Sequence, residues 1–351
     1  MMARPPSPSR ARVLVALAAL GVCAAPAAAV GAPSKEADAS LPSVAAAADT
    51  EVVATIAALA ACDGKGIAAT CAPRDVWTKS FRAVRDADAV TDAGAVDHRR
   101  YAMGCLAAST HESYSVREVA AECVGALAAH LADRKVATRA MLRQYSVDRS
   151  GDARTAELGA LSQLDPTEHG LAADVVALAR PLVGRSMAKR DLRALVAALS
   201  PRSYGADIPP APEAMAFAVD LIKRREAVGE AVRVLEQSKT PDAAACAALL
   251  DLAETKRGGW AEAIEAIGLR PGRCVEQRAR AIQIVVEVAK RPSGPSQKLG
   301  LGEAKASLRS YVRSGEPSAA ERALLRDAVK AATAIEGREA LEDLREAIPA
   351  N

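Results

Sequence analysis

The chain has 351 residues; 50% are hydrophobic but only 3% are aromatic, and 46 Lys+Arg stand against 43 Asp+Glu. The three excess positive charges, Arg4, Arg10 and Arg12, lie in the first 31 residues, which hold no acid, so the remainder is formally neutral. A neutral chain poor in aromatic rings lacks both the basic field and the stacking surfaces of a nucleic-acid binder, which excludes that partner class.

In chain order, Arg4–Arg12 form a positive n-region, Val13–Leu20 an apolar core and Ala27-Ala28-Ala29 a cleavage site, so residues 1–31 are expected to be a signal peptide. The apolar run is too short to span a bilayer and no later run is long enough, so no transmembrane helix is expected. Leu20-Gly21-Val22-Cys23 resembles a lipoprotein box, which would put a lipid anchor on Cys23. Val22 fits that box poorly, and cleavage near Ala29 is the preferred route.

Residues 32–48 read as a flexible lead-in and 49–200 as an N-terminal helical array. Asp49 or Thr50 caps a helix through Cys62, Asp63-Gly64-Lys65-Gly66 turns the chain, and a helix follows over 75–86. Around 95–131 we expect two antiparallel helices. The second is introduced by a capping box, Ser115-Val116-Arg117-Glu118, and carries apolar residues at Val116, Val119, Ala120, Cys123, Val124, Leu127 and Leu131. Further helices are expected at 133–145, 152–164, 166–182 (behind Asp165-Pro166-Thr167-Glu168) and 188–200.

Residues 201–212, with four prolines, read as a linker to a C-terminal helical array at 213–351. There, helices are expected at 213–237, from Asp242 to Thr255, at 260–267, 275–289, 302–314, 318–335 and 337–347. Residues 291–300 read as a Pro/Gly loop. Only Gln283–Val288 hints at a strand, so the fold class is all-α, stacked antiparallel helix pairs.

Val116-Arg117 followed by Ala120-Ala121, Val124 and Leu127 resembles a HEAT-type repeat helix, with echoes at Ala153-Arg154…Leu158…Leu161 and Leu192-Arg193…Val196…Leu199. The resemblance covers about residues 95–200 and implies an α-solenoid, an irregular helical array being the alternative.

Six cysteines besides Cys23 fall as near neighbours, 62/71, 105/123 and 246/274. In an exported chain that pattern reads as disulfides between Cys62 and Cys71, Cys105 and Cys123, and Cys246 and Cys274, although six cysteines formally allow fifteen pairings. A metal set of Cys105, His111, Cys123 and His130 is disfavoured by the seven-residue gap from Cys123 to His130, and no metal or cofactor is expected. His98 and His169 read as satisfied surface histidines, His98-Arg99-Arg100 and Lys223-Arg224-Arg225 as solvated helix faces. Ser186-Met187-Ala188-Lys189 matches S-x-x-K without companion motifs, so Ser186 reads as a helix cap. Gly300-Leu301-Gly302-Glu303 reads as a connecting loop, not a phosphate loop. The resulting expectation is an exported, non-enzymatic protein of the bacterial periplasm or cell envelope that binds another protein along a helical-repeat surface. The alternative is an envelope enzyme on an all-α scaffold.

Overall fold

The computed structural model describes residues 50–64, 71–85, 92–200, 209–238, 241–268, 273–290, 294–314 and 317–332. Among these residues the chain forms fifteen α-helices and no strand, an all-α fold. The first eight are α1 (Thr50–Ala57), α2 (Ala72–Arg85), α3 (Asp92–Ala108), α4 (Tyr114–Ala126), α5 (Arg134–Val147), α6 (Gly151–Leu164), α7 (Ala172–Ala179) and α8 (Lys189–Ala197). The remaining seven are α9 (Pro212–Arg224), α10 (Val228–Glu236), α11 (Ala243–Glu254), α12 (Trp260–Gly268), α13 (Val275–Lys290), α14 (Pro295–Ser314) and α15 (Ala319–Ala332). The stretches expected to be a signal peptide, a flexible lead-in and the 337–347 helix, together with Cys23 and most of the proline-rich stretch, lie outside the described residues.

Packing is local in the chain. From α4 onward α5 packs on α6, α7 on α8, α9 on α10, and α11 through α14 in turn as chain neighbours. Each helix there also packs on the helix two places along, which sorts the helices into two interleaved rows. One row runs α4, α6, α8, α10, α12, α14, and the other α5, α7, α9, α11, α13, α15. Helices on either side of the proline-rich stretch follow the same rule: α7 packs on α9 and α8 on α10. The reason is amphipathicity. A short helix cannot be stable alone, and each of these carries an apolar stripe that only a neighbouring helix covers.

Alanine is the commonest filler of that core, so neighbouring axes can come close. One close joint is α4 against α6, where a Cβ added at Gly125 would meet the Ala160 backbone, its Cα at 3.0 Å. A second is α12 against α14, where a Cβ at Gly300 would meet the Nε1 of buried Trp260 at 2.7 Å. Gly300 therefore lies inside a helix, not in the connecting loop read from the sequence. The 302–314 helix starts seven residues earlier, because a glycine there admits the indole.

Several caps are as expected and others are not. Asp242 accepts from the Ala245 N–H (2.7 Å) as expected, and Asp133, not among the expected caps, accepts from the Val136 N–H (2.9 Å). Ser318 and Glu321 form a full capping box, with Ser318 N–H donating to Glu321 Oε2 (2.7 Å) and Glu321 N–H to Ser318 Oγ (3.2 Å). The α4 cap is Ser113, accepting from Val116 N–H at 3.3 Å, whereas Ser115 lies buried inside the helix. Asp63 takes the alternative role, binding Ser113 Oγ and Ser115 N–H across the turn. Asp165 closes α6 in the left-handed region (φ 53) and caps a turn at Glu168, so the next helix starts at Ala172 rather than Pro166. Ser186 makes no capping bond to α8 and only opens a 3₁₀ turn.

The expected 213–237 helix is two helices. Arg225 (φ 59) and Ala227 (φ 44) are left-handed, a conformation costing about 1–2 kcal/mol per non-glycine residue. Between them Glu226 accepts from the Gly184 N–H through both carboxylate oxygens, at 3.0 and 2.9 Å. A partner 42 residues away sets this break.

Candidate binding groove

Two adjoining hollows, of about 350 and about 700 Å³, share Arg85, Glu118 and Glu122 and form one groove over α2, α4 and α6, ending at Arg190 of α8. Each helix contributes by its spacing. On α2, Arg74, Phe81, Arg82 and Arg85 recur at helical intervals and make one wall basic. Trp77 is buried behind that wall, stacked on Phe81 (5.4 Å between centroids, 9° between planes) and tilted against Tyr101 at 5.8 Å.

On α4, Glu118 and Glu122 are four residues apart and so stack on one face, one turn apart. Arg74 pairs with Glu118 at 3.2 Å. Crowding by the groove walls pushes both carboxyls above the usual range. For Glu122 burial comes first and the Glu118 charge second, although its carboxylate stays accessible to solvent. The floor is built of small residues, Gly125, Ala126, Ala156, Gly159 and Ala160. A Cβ at Gly159 would meet nothing within 4 Å, so the floor is open at that point. The arrangement is a long, mixed-charge trough with one aromatic edge.

The sequence-derived candidates lie elsewhere. The six cysteines stand in the three expected pairs at disulfide distance, with Cα separations of 5.8 Å (Cys62–Cys71), 6.0 Å (Cys105–Cys123) and 5.4 Å (Cys246–Cys274). They tie the turn after α1 to α2, α3 to α4, and α11 to the start of α13. Cys105, His111, Cys123 and His130 are not brought together as ligands: the cysteines bond each other and His111 Nδ1 accepts from the Ser113 N–H. Among the described residues no group of three or more His, Cys, Asp or Glu could hold a metal. His98 is not a surface histidine: it is 3% exposed and stacks on His130 with centroids 4.4 Å apart. His169 is half-buried, with its Nε2 shielded and without a hydrogen-bond partner. Ser186 and Lys189 are exposed and line neither of the two hollows.

A buried polar cluster lies on the other side of the α4–α6 joint. Arg117 holds Asp148 bidentately, through Nε to Oδ2 and Nη2 to Oδ1, and also donates to the His111 and Glu112 carbonyls. Arg154 donates to Asp191 Oδ2 (2.7 Å) and to the Tyr145 hydroxyl (2.8 Å), which itself donates to Asp191 (3.0 Å). Burial above all pushes the Tyr145 phenol up to about 12. The two arginines singled out in the sequence as echoes thus hold successive helices together. Arg193, the third, is exposed.

Sequence reasoning missed the groove acids and Glu157, which stands inside this cluster. One signal was present. Glu157 falls on the apolar stripe of α6, four residues after Ala153 and four before Leu161, where an acid is out of place. No family model matches the chain, and neither a curated protein nor a solved structure does.

Proposed function

We propose that this chain is an exported, disulfide-stapled helical-repeat protein of the bacterial cell envelope that binds another protein in the α2–α4–α6 groove. The observation that carries the reading is the groove itself, open and elongated, with a floor of small side chains bordered by charges of both signs. Such a trough accepts a polypeptide segment lying along it better than a small molecule, which needs to be enclosed.

The repeat reading is supported by the helix starts. In the row α4, α6, α8, α10 they fall 37, 38 and 39 residues apart, with Arg117 and Arg154 at equivalent places. Export is supported by three cysteine pairs at disulfide distance, since such pairs persist in oxidising compartments. No helix among the described residues is long and apolar enough to cross a membrane.

The test is photo-crosslinking in the native envelope, with the crosslinking residue at 159 on the groove floor or at 187, which is 98% exposed and remote from the groove. A discrete crosslinked protein at 159, absent at 187 and lost when Glu118 and Glu122 are both changed to Lys, is the expected result. No crosslink at 159, or equal ones at both positions, overturns the groove assignment. The mass of the same mature protein reports cleavage near Ala29, acylation at Cys23, or neither, and the last of these overturns export.

A further inference from the structure

Glu157 occupies the middle of α6 and is 1% exposed; no N–H or O–H donor reaches either carboxylate oxygen, and the carboxyl within hydrogen-bonding reach is that of Asp148. The groups facing it come from every helix packed there. Arg117 reaches in from α4, Asp148 and Tyr145 from the C-terminal end of α5, and Arg154 from its own helix. Asp191 of α8 is held behind Arg154, and His130, in the 128–130 turn that also packs on α6, is engaged with His98. The cations are spoken for: Arg117 is bidentate to Asp148, and Arg154 bridges Asp191 and Tyr145. Two positive charges already face two negative ones, and a third anion here would have neither donor nor counter-charge.

We propose that Glu157 is a proton switch built into the joint of α4, α5 and α6, closed when its carboxyl holds a proton that it donates to Asp148 and loosened when that proton leaves to solvent. Closed, the cluster is neutral and every charge has a partner. Open, an uncompensated, buried carboxylate faces Asp148, and the two repel. The relief available is movement of α6 away from α4 and α5. The opposite side of α6 is the groove floor at Ala156, Gly159 and Ala160, so the switch sets the width of that floor.

Geometry and protonation agree on which acid holds the proton. Burial works against ionisation of Asp148, but the Arg117 bond and the Ser150 N–H outweigh it and hold its carboxyl low. For Glu157, burial first and the Asp148 charge second push the carboxyl up to about 8. A carboxyl whose folded pKa is raised keeps a proton that the unfolded chain has released. Its contribution is therefore complete below the ordinary carboxylate range and is lost as pH rises toward 8.

The experiment is urea unfolding of the full chain from pH 5 to pH 9.5, wild type against Glu157→Gln, an isostere that cannot ionise. The expected result is a wild-type folding equilibrium that falls relative to the variant by up to about tenfold per pH unit between about pH 5 and 8, then runs parallel to it. Parallel curves over the whole range overturn the switch. Should Glu157→Gln fail to fold, carboxyl NMR of the wild type decides: a glutamate titrating near pH 8 supports the switch, and none above pH 6 overturns it. Hydrogen exchange, corrected for intrinsic rate, adds the structural readout. Protection lost in 114–126 and 151–164 above pH 8 supports opening at this joint, and unchanged protection there overturns it.

Discussion

Between α4, α5 and α6, Arg117 and Arg154 meet Asp148, Glu157 and Tyr145; between α13, α14 and α15, Arg278 meets Tyr311 and Glu321. The second cluster is built of the same residue types. Arg278 Nη1 donates to the Tyr311 hydroxyl (3.4 Å) with its guanidinium 5.2 Å from the ring centroid, and the hydroxyl donates to Glu321 Oε2 (2.9 Å). Nearby, the fully buried Arg273 spends its charge on the Leu235 and Glu236 carbonyls that end α10.

The difference lies in the acids. Glu321 is also buried, which opposes its ionisation, but the Ser318 N–H and hydroxyl and the Tyr311 hydroxyl outweigh that and hold its carboxyl below the usual range. Glu157 has the burial without the donors. One acid is thus kept charged by its cap and the other kept neutral by its surroundings. Whether a buried carboxylate stiffens or threatens a helical joint depends on how many N–H and O–H groups reach it, not on its depth.

The largest way to break this comparison is Arg117→Leu. It strands Asp148, whose side chain is fully buried, and is expected to cost about 3–5 kcal/mol in denaturant unfolding. Arg278→Met in the other cluster should cost clearly less, because Glu321 keeps its Ser318 and Tyr311 donors. Equal losses would mean that the two clusters do not differ as described.

Next come the staples, two of which lie in the half that holds Glu157. Replacing Cys105 and Cys123 together by Ala should cost about 2–4 kcal/mol, from greater freedom of the unfolded chain. The effect should rank with the span closed, Cys246–Cys274 (28 residues) above Cys105–Cys123 (18) above Cys62–Cys71 (9). Thermal melts of the three double variants measure that ranking.

Glu321→Ala removes half of the capping box and the acceptor of Tyr311, an expected cost of about 1–2 kcal/mol at pH 7. Because the Glu321 carboxyl is held low when folded, its contribution is present above the ordinary carboxylate range and lost as pH falls through its folded value. The wild type should fall toward this variant in acid, whereas against Glu157→Gln it should match the variant in acid and fall below it as pH rises toward 8. Convergence in alkali instead would refute the contrast.

The smallest effect sharpens the groove side of the same joint. Gly159→Ala adds a methyl group to open space on α6 and should stabilise by about 0.5–1 kcal/mol. Gly125→Ala pushes against the Ala160 backbone and should destabilise.

Much of the scaffold was legible locally. Periodicity placed most of the helices, Asp242 and Ser318-x-x-Glu321 announced their own caps, and cysteine proximity in the chain matched proximity in space. Those features depend on contacts within a few residues, or between adjacent helices, which one sequence can display. The groove was not legible, because Arg74, Glu118, Gly159 and Arg190 are brought to one trough only by stacking alternate helices.

By itself, then, the sequence determined the all-α class and the three cysteine pairs, since helix period and short loop closure are properties of short stretches. Tertiary structure alone decided that Arg225–Ala227 breaks a helix against Gly184 and that Gly300 lies inside one against Trp260. It also decided that Glu157 is an acid without a donor. The first two depend on a partner 40 or more residues away, and the third on Arg117, 40 residues from Glu157, being already bound to Asp148, which no local pattern encodes.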